Sequence, residues 1–306
     1  SRGIVIRGAK VHTSYGPCMR ELVVVPCRQL KEADKDYAVC CSMPVDTKGV
    51  TFVARPAPNR SRTDAQMECP IGSAIGAVEA MTVFDDVFVP WERVFLCGEW
   101  DMTGRAPHYF ASIQRHSKCA CLSGHTDLIC GIVALIADVN GLGMKTAHIR
   151  DKATKLMMEA ETAYGCAVGA AVEGEVHPSG VWIPNALIGN AGLHYIKNLS
   201  GEHIALVHDI AGGVIVTMPT EQDYKNPTIK AWMDTYLAGN PKYTTEERLR
   251  VLYLAQEVAA SRWTGYFVGW AINASGSTMT TEIVVRSAYD LEKRIEIAKR
   301  WAGVGE

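Results

Sequence analysis

Residues 83–93 read Val83-Phe84-Asp85-Asp86-Val87-Phe88-Val89-Pro90-Trp91-Glu92-Arg93. Val83-Phe84 and Val87-Phe88-Val89 are strand-forming runs flanking Asp85-Asp86. Pro90 has no amide to give a neighbouring strand and is expected to stop the pairing. Val94-Phe95-Leu96 adds one more short piece. Upstream, Ile4 to Val11, Glu21 to Cys27, Tyr37 to Met43 and Val50 to Ala54 have the same character. Turn chemistry separates them at Tyr15-Gly16-Pro17, Asp46-Thr47-Lys48-Gly49 and Pro56-Ala57-Pro58-Asn59. Short strands with irregular links predict a small sandwich or barrel.

Near residue 100 the pattern changes. Helix formers dominate from Pro107, and five long helices are expected: His108 to Asn140, Lys145 to Val172, Asn185 to Ile210, Thr244 to about Gly269, and Thr281 to Ala302. Gly141-Leu142-Gly143 ends the first, and Thr244-Thr245-Glu246-Glu247 opens the fourth with capping-box character. Long helices with short links make a bundle.

The chain has 306 residues, with 31 Lys and Arg against 33 Asp and Glu, a formal charge of −2. That balance gives no sign of nucleic acid as a partner. A hydrophobic fraction of 48% with 21% charged residues excludes a disordered or fibrous chain. Ten unevenly spaced cysteines read as reduced thiols of a cytoplasmic protein. The longest apolar run, Leu128 to Ala137, is short for a bilayer, so no membrane is expected. Neither a Gly-Lys-Ser/Thr phosphate loop nor a strand-flanked Gly-x-Gly-x-x-Gly occurs.

Four stretches go further: Gly3-Ile4-Val5-Ile6-Arg7-Gly8-Ala9-Lys10 with Ala33-Asp34-Lys35-Asp36-Tyr37-Ala38-Val39; the block from Val83 to Glu99; Asp209-Ile210-Ala211-Gly212-Gly213 with Thr217-Met218-Pro219; and Thr244-Thr245-Glu246-Glu247-Arg248. In this unbroken order they resemble the 4-hydroxybutyryl-CoA dehydratase branch of the 4-hydroxyphenylacetate 3-hydroxylase family, flavoproteins with the acyl-CoA dehydrogenase architecture. The resemblance implies an α+β protein with an N-terminal helical domain, a middle β domain and a C-terminal bundle. Only the last part of the β domain and the whole bundle have counterparts here. Residues 1–104 are therefore expected to be a partial middle β-barrel or sandwich domain, and residues 105–306 an all-α bundle. The N-terminal helical domain would be absent, supplied by a missing segment or partner chain, and Gly3 to Lys10 would have an exposed edge. The resemblance also implies FAD, a small acyl-CoA substrate, and self-association through the bundle as a homotetramer.

The same resemblance marks candidate residues. The family glutamate preceding the β block matches Glu79, and a carboxylate beside a flavin can act as a general base at an activated C–H. A solvated strand-edge glutamate is the plain alternative. Thr13 and Ser14 lie where family members carry a hydroxyl that bonds the flavin ring, against a turn-stabilising role. Asp209, Ala211, Gly212 and Gly213 match a loop that meets FAD of a neighbouring subunit, against an ordinary Gly-capped helix end. His148 and Lys152 are candidates for the same cofactor, against a solvated helix face.

Dehydratase members place a His and a Cys seven residues apart on one helix face and, with two upstream cysteines, hold a 4Fe–4S cluster. Cys121 matches that Cys as a metal ligand, but Gln114 stands at the His position. Lys118 stands at a tyrosine between them, and Trp270 at a second family carboxylate. Glutamine is a poor iron–sulfur ligand, so a packed thiol is the competing reading of Cys121. His116 and Cys119 offer a rearranged site.

Three functions follow. The first is an FAD-dependent enzyme performing dehydration, isomerisation or CH–CH redox chemistry on a small acyl-CoA, with the replaced positions counting against dehydration itself. The second is a two-component flavin-dependent aromatic monooxygenase, which needs no cluster. The third is a non-catalytic or site-completing subunit.

Overall fold

Six strands build two three-stranded antiparallel sheets: β1 (Gly3–Ser14), β2 (Glu21–Val24), β3 (Val39–Pro44), β4 (Val50–Arg55), β5 (Glu79–Pro90) and β6 (Val94–Cys97). The strand orders are β1-β5-β4 and β2-β3-β6, which leaves β1 at an edge. The computed structural model describes residues 2–55, 66–75 and 78–305. The turn expected at Pro56-Ala57-Pro58-Asn59 lies outside them.

The block that opened the sequence is one strand rather than two. Ile6 pairs with Val87 and Gly8 with Phe84, so Arg7 faces both Asp85 and Asp86 across a bulge. Asp86 takes a left-handed φ of 50° and its carboxylate pairs with Arg7. The extra residue changes the parity of the strand. Phe84, Val87 and Val89 all turn inward, where they share a core with Leu22, Cys41 and Met43 of the other sheet. Pairing continues to Pro90, opposite Gly3, so the proline is the last rung rather than a block before it.

Helices follow: α1 (Pro70–Ala74), α2 (Arg105–Val139), α3 (Ala147–Val172), α4 (Ala186–Asn198), α5 (Ser200–Ala211), α6 (Val214–Thr217), α7 (Glu221–Lys225), α8 (Pro227–Tyr236), α9 (Thr245–Ala259), α10 (Arg262–Asn273), α11 (Thr278–Ala288) and α12 (Leu291–Ala302). A ribbon of Glu175–Val176 and Trp182–Ile183 lies between α3 and α4. Three of the five expected helices are broken. New starts cap themselves: Ser261 Oγ accepts from the Trp263 amide, and Asp290 accepts from the Lys293 amide. Within α2, an 18-residue window reaches a mean hydropathy of 1.7, long and apolar enough to cross a membrane by composition, although its uninterrupted apolar run is short. Half of that window is buried inside the fold, the pattern of a core helix.

The six strands of the two three-stranded sheets lie within residues 1–104, and the chain packs as two units. One unit comprises residues 1–110 with 213–266, and the other residues 111–212 with 267–306.

In the first unit, carboxylates bind residues 66–75 to distant helices. Glu257, fully buried on α9, accepts the Ile71 and Gly72 amides at 2.6 and 2.8 Å. These are first-turn amides of α1, which its own N-cap, Cys69, leaves unserved. Glu221 accepts the Met67 amide at 2.7 Å, and Glu68 accepts the Glu221 amide at 2.6 Å. Met67 packs with Tyr224, Met233, Leu249 and Tyr253 above them.

In the second unit, Gly192 of α4 lets that helix approach its neighbours. A methyl there would collide with Cys166 of α3 and lie 2.9 Å from Cys119 Sγ of α2. Two ion pairs and a buried hydrogen bond join α3 to α5: Lys152 with Asp209, Lys155 with Glu202 at 2.7 Å, and buried His203 with buried Glu159 at 2.8 Å.

Gly192→Ala overpacks this crossing and is expected to cost ~1–3 kcal/mol. Glu257→Gln turns an NH2 toward one of two amides and is expected to cost roughly 2 kcal/mol. Denaturant midpoints check both.

Candidate functional site

Strand pairing places Glu79, first residue of β5, opposite Ser14 of β1 and Arg55 of β4. Ser14 Oγ lies 2.9 Å from both carboxylate oxygens of Glu79 and donates to the carboxylate. The Tyr266 hydroxyl, from α10, donates to Oε1 at 2.9 Å. The Arg55 guanidinium lies over the Tyr266 ring, 5.5 Å from its centre. Burial, and then the Glu79 carboxylate, push the Tyr266 phenol above its ordinary range, so it stays a donor at neutral pH. Glu79 is half-buried and oriented by two hydroxyls, more than a solvated strand-edge residue would have. Thr13, next to Ser14, instead accepts a 2.9 Å hydrogen bond from buried Thr82. Successive strand residues point to opposite faces, so only one of the two hydroxyls serves Glu79.

The other flavin candidates lie on α3 and at the end of α5. Lys152 and Asp209 meet as an ion pair within the α3–α5 ladder. His148 is exposed, one turn before Lys152. Ala211 is buried. Gly212 ends α5 with φ 68° and donates its amide to the His208 carbonyl at 2.8 Å. No atom lies within 4 Å of where a Cβ would stand at Gly212 or Gly213. This open, side-chain-free backbone fits close approach by a diphosphate. The charges of Lys152 and Asp209 are already spent on each other.

The segment expected to bear a cluster ligand is occupied differently. Gln114 Nε2 donates to the Ala274 carbonyl at 3.2 Å, and buried Arg115 donates from Nε to Ser275 O at 2.9 Å and from its NH1 nitrogen to Asn190 Oδ1 at 3.1 Å. Lys197, fully buried, reaches the Gly276 carbonyl at 3.4 Å. Three consecutive carbonyls just beyond α10 are thus clamped. One turn earlier, Trp270 presents its ring to the Lys118 ammonium position. Lys118 is 3% exposed, and its Nζ makes no hydrogen bond among the described residues. Burial pulls its pKa down to about 6, with Cys121 opposing. His125, stacked on Phe267 at 3.6 Å, is pushed down to about 3 by burial and then by His203 and Lys118.

Cys121 is exposed. His116 Nε2 lies 3.1 Å from the Ala167 carbonyl, so that nitrogen carries the proton. Buried Cys119 donates to Ala163 O at 3.3 Å, and burial pushes its thiol up to about 12. Both residues serve packing against α3, which rules against the rearranged ligand pair. Among the described residues no three His, Cys, Asp or Glu side chains gather to hold a metal. The residues around Cys121 do not fit an iron–sulfur cluster.

Sequence reasoning missed Tyr266 and Arg55. Tyr266 lies 187 residues from Glu79, and no local signal joins them.

The 4-hydroxyphenylacetate 3-hydroxylase N-terminal and C-terminal family profiles match residues 1–96 and 103–303. The chain belongs to the 4-hydroxyphenylacetate 3-hydroxylase family. Over 99% of its length it is 32% identical to 4-hydroxybutyryl-CoA dehydratase/vinylacetyl-CoA-Δ-isomerase of Clostridium aminobutyricum, covering 64% of that protein. An oxygen-tolerant archaeal 4-hydroxybutyryl-CoA dehydratase from N. maritimus superposes with a TM-score of 0.92 at 28% identity, over 100% of this chain and 61% of that one. The oxygenase component of 4-hydroxyphenylacetate 3-monooxygenase, solved with FAD and 4-hydroxyphenylacetate, shares the fold at TM-score 0.87 and 22% identity, covering 98% and 63%. Butyryl-CoA dehydrogenase of Megasphaera elsdenii shares it more distantly, at TM-score 0.51 and 15% identity, covering 93% and 60%. The mixed helix-and-sheet fold is therefore acyl-CoA dehydrogenase-like. The chain spans less than two-thirds of each of these proteins.

Tyr266→Phe removes a neutral donor from a half-buried carboxylate and is expected to cost about 1 kcal/mol in denaturant unfolding.

Proposed function

We propose that this chain is the β-plus-bundle part of an FAD-dependent enzyme acting at a C–H or C–O centre of a small acyl-CoA thioester. The observation that carries this reading is the Glu79 carboxylate held by Ser14 and Tyr266. The 32% identity to an acyl-CoA dehydratase/isomerase supports the substrate class. Bound FAD supplies an electron- and hydride-accepting ring. The open Gly212-Gly213 backbone would admit the diphosphate of a neighbouring subunit's FAD, with His148, Lys152, Asp209 and Ala211 beside it in sequence or fold; separately, Thr13 or Ser14 would meet the ring of the flavin bound beside Glu79. A solved relative of the same fold holds FAD. Glu79 takes the proton from substrate carbon, while the two hydroxyl donors fix the direction of its remaining lone pairs. Exposed Cys121, with no metal-holding group of side chains around it among the described residues, and Gln114, engaged at Ala274, favour isomerisation or CH–CH redox chemistry over cluster-assisted dehydration.

A two-component aromatic monooxygenase is the second reading, supported by the same engagement of Gln114, since that chemistry needs no cluster. A non-catalytic or site-completing subunit is the third, supported by Gln114, Lys118 and Trp270 standing where the family resemblance implies a His, a Tyr and a carboxylate. The shared core of the two sheets supports a partial β-barrel or sandwich in residues 1–104, ahead of a bundle in 105–306. Helix α12 buries none of its residues while carrying Leu291, Ile295, Ile297 and Trp301, which supports self-association, as a homotetramer in our reading. We assign the protein to the cytoplasm.

Anaerobically purified, natively assembled protein is expected to show flavin absorbance without iron. Glu79→Gln is expected to keep the flavin and lower acyl-CoA turnover by roughly 10²–10⁴-fold. Absence of flavin would sink the reading, and oxygen-dependent hydroxylation of a phenol would replace it with the second.

A further inference from the structure

Helix α11 packs on α4, and between them lies a cleft of about 380 Å³. Ala191 and His194 of α4 line it, with Glu282, Val285 and Arg286 of α11. All five belong to the second unit, and Glu79 belongs to the first. The volume is that of a small-molecule site.

His194 is the polar wall on the α4 side, and both its ring nitrogens are engaged. Buried Thr281 donates its hydroxyl to the Thr278 carbonyl at 2.7 Å, so its oxygen accepts from His194 Nδ1 at 3.1 Å. Nε2 is then the acceptor and takes the Asn198 side-chain amide at 3.2 Å. An unprotonated Nε2 has no hydrogen for Glu282 Oε1, which lies 4.0 Å away. The imidazole is thus a fixed, neutral surface, and recognition falls to Glu282 and Arg286.

Those two residues stand at i and i+4 on one helix with the acid first, the order that favours an ion pair. Glu246 and Arg250 have the same order and spacing on α9, and they close to 2.7 Å. Glu282 and Arg286 do not close, and among the described residues Arg286 has no carboxylate partner. The cleft therefore presents a carboxylate and a guanidinium fork within one helical turn, with Ala191 and Val285 as the apolar surface beside them.

We propose that the α4–α11 cleft binds a free α-amino acid with a branched aliphatic side chain. Its carboxylate meets the Arg286 fork, its ammonium meets Glu282, and its side chain lies against Ala191 and Val285. One carbon carries both charged groups of such a ligand, so a single molecule reaches both partners. Charge-assisted contacts of this kind are the strong ones, and the planar guanidinium matches a carboxylate. A hydroxyl in place of the ammonium would leave Glu282 with a neutral donor. No residue of the first unit takes part, so the assignment does not depend on acyl-CoA chemistry at Glu79.

The test is titration calorimetry on the purified full chain at neutral pH, with L-leucine as the probe. Isocaproate lacks the ammonium, isoamylamine lacks the carboxylate, and α-hydroxyisocaproate carries a hydroxyl instead of the ammonium. Leucine is expected to bind roughly tenfold or more tightly than each of the three. Arg286→Gln is expected to abolish leucine binding. Glu282→Gln is expected to lower leucine to the level of isocaproate without weakening isocaproate itself. Ala191→Phe puts a ring into the cleft from an exposed position and is expected to block leucine with both charges in place, at an unchanged melting temperature. Failure of leucine to bind, equal affinity for leucine and isocaproate, tighter binding of the hydroxy acid, or leucine affinity unchanged in Arg286→Gln would overturn the assignment.

Discussion

The buried Glu257 carboxylate is the constraint on which the first unit turns. It supplies two acceptors to the amides of Ile71 and Gly72, which a short helix beginning at Pro70 cannot satisfy from its own sequence. A buried carboxylate and two part-buried amides would each be costly alone, and each lowers the cost of the other. Glu68 and Glu221 repeat the device nearby. Together they fix residues 66–75 against α7 and α9, just upstream of the strand that begins at Glu79.

The strands and the long helices were legible because their signals are local. Alternation, turn residues and caps occur within a few positions of the structure they specify. The bulge at Asp85-Asp86 was legible as an interruption but was misread as a gap between strands. Its effect is to change parity, which appears only when Arg7 is set opposite it. The helix breaks at 199, 260–261 and 289–290 were missed because the apolar pattern runs across them. Of the candidate site, Glu79 and Ser14 could be named from resemblance and are neighbours in the sheet. Tyr266 and Arg55 could not, since sequence distance hides such contacts. Lys152 and Asp209 were named for a cofactor, and their nearest service is to each other.

Gln114, Lys118 and Trp270, read along the sequence, were three separate departures from a family pattern. In space they form a connected set. Gln114 helps clamp the end of α10, and that helix carries Trp270 onto Lys118. The Lys118 amine lies against the Trp270 ring, an apolar, electron-rich face. The chemistry expected here follows from residues the chain has, not from those its relatives have.

The alternation of the two packing units along the chain has a consequence for how the protein is made. Residues 66–79 leave the ribosome long before Glu221, Glu257 and Tyr266, which complete their hydrogen bonds. At typical elongation rates the delay is on the order of ten seconds or more. During that interval the amides of Met67, Ile71 and Gly72, and the edge strand beside Glu79, stand without these partners on a nascent chain. Synthesis of residues 111–212, which belong to the other unit, fills part of the delay. The first unit is begun first and finished after most of the second has emerged, so its early segments wait longest for the residues that complete them.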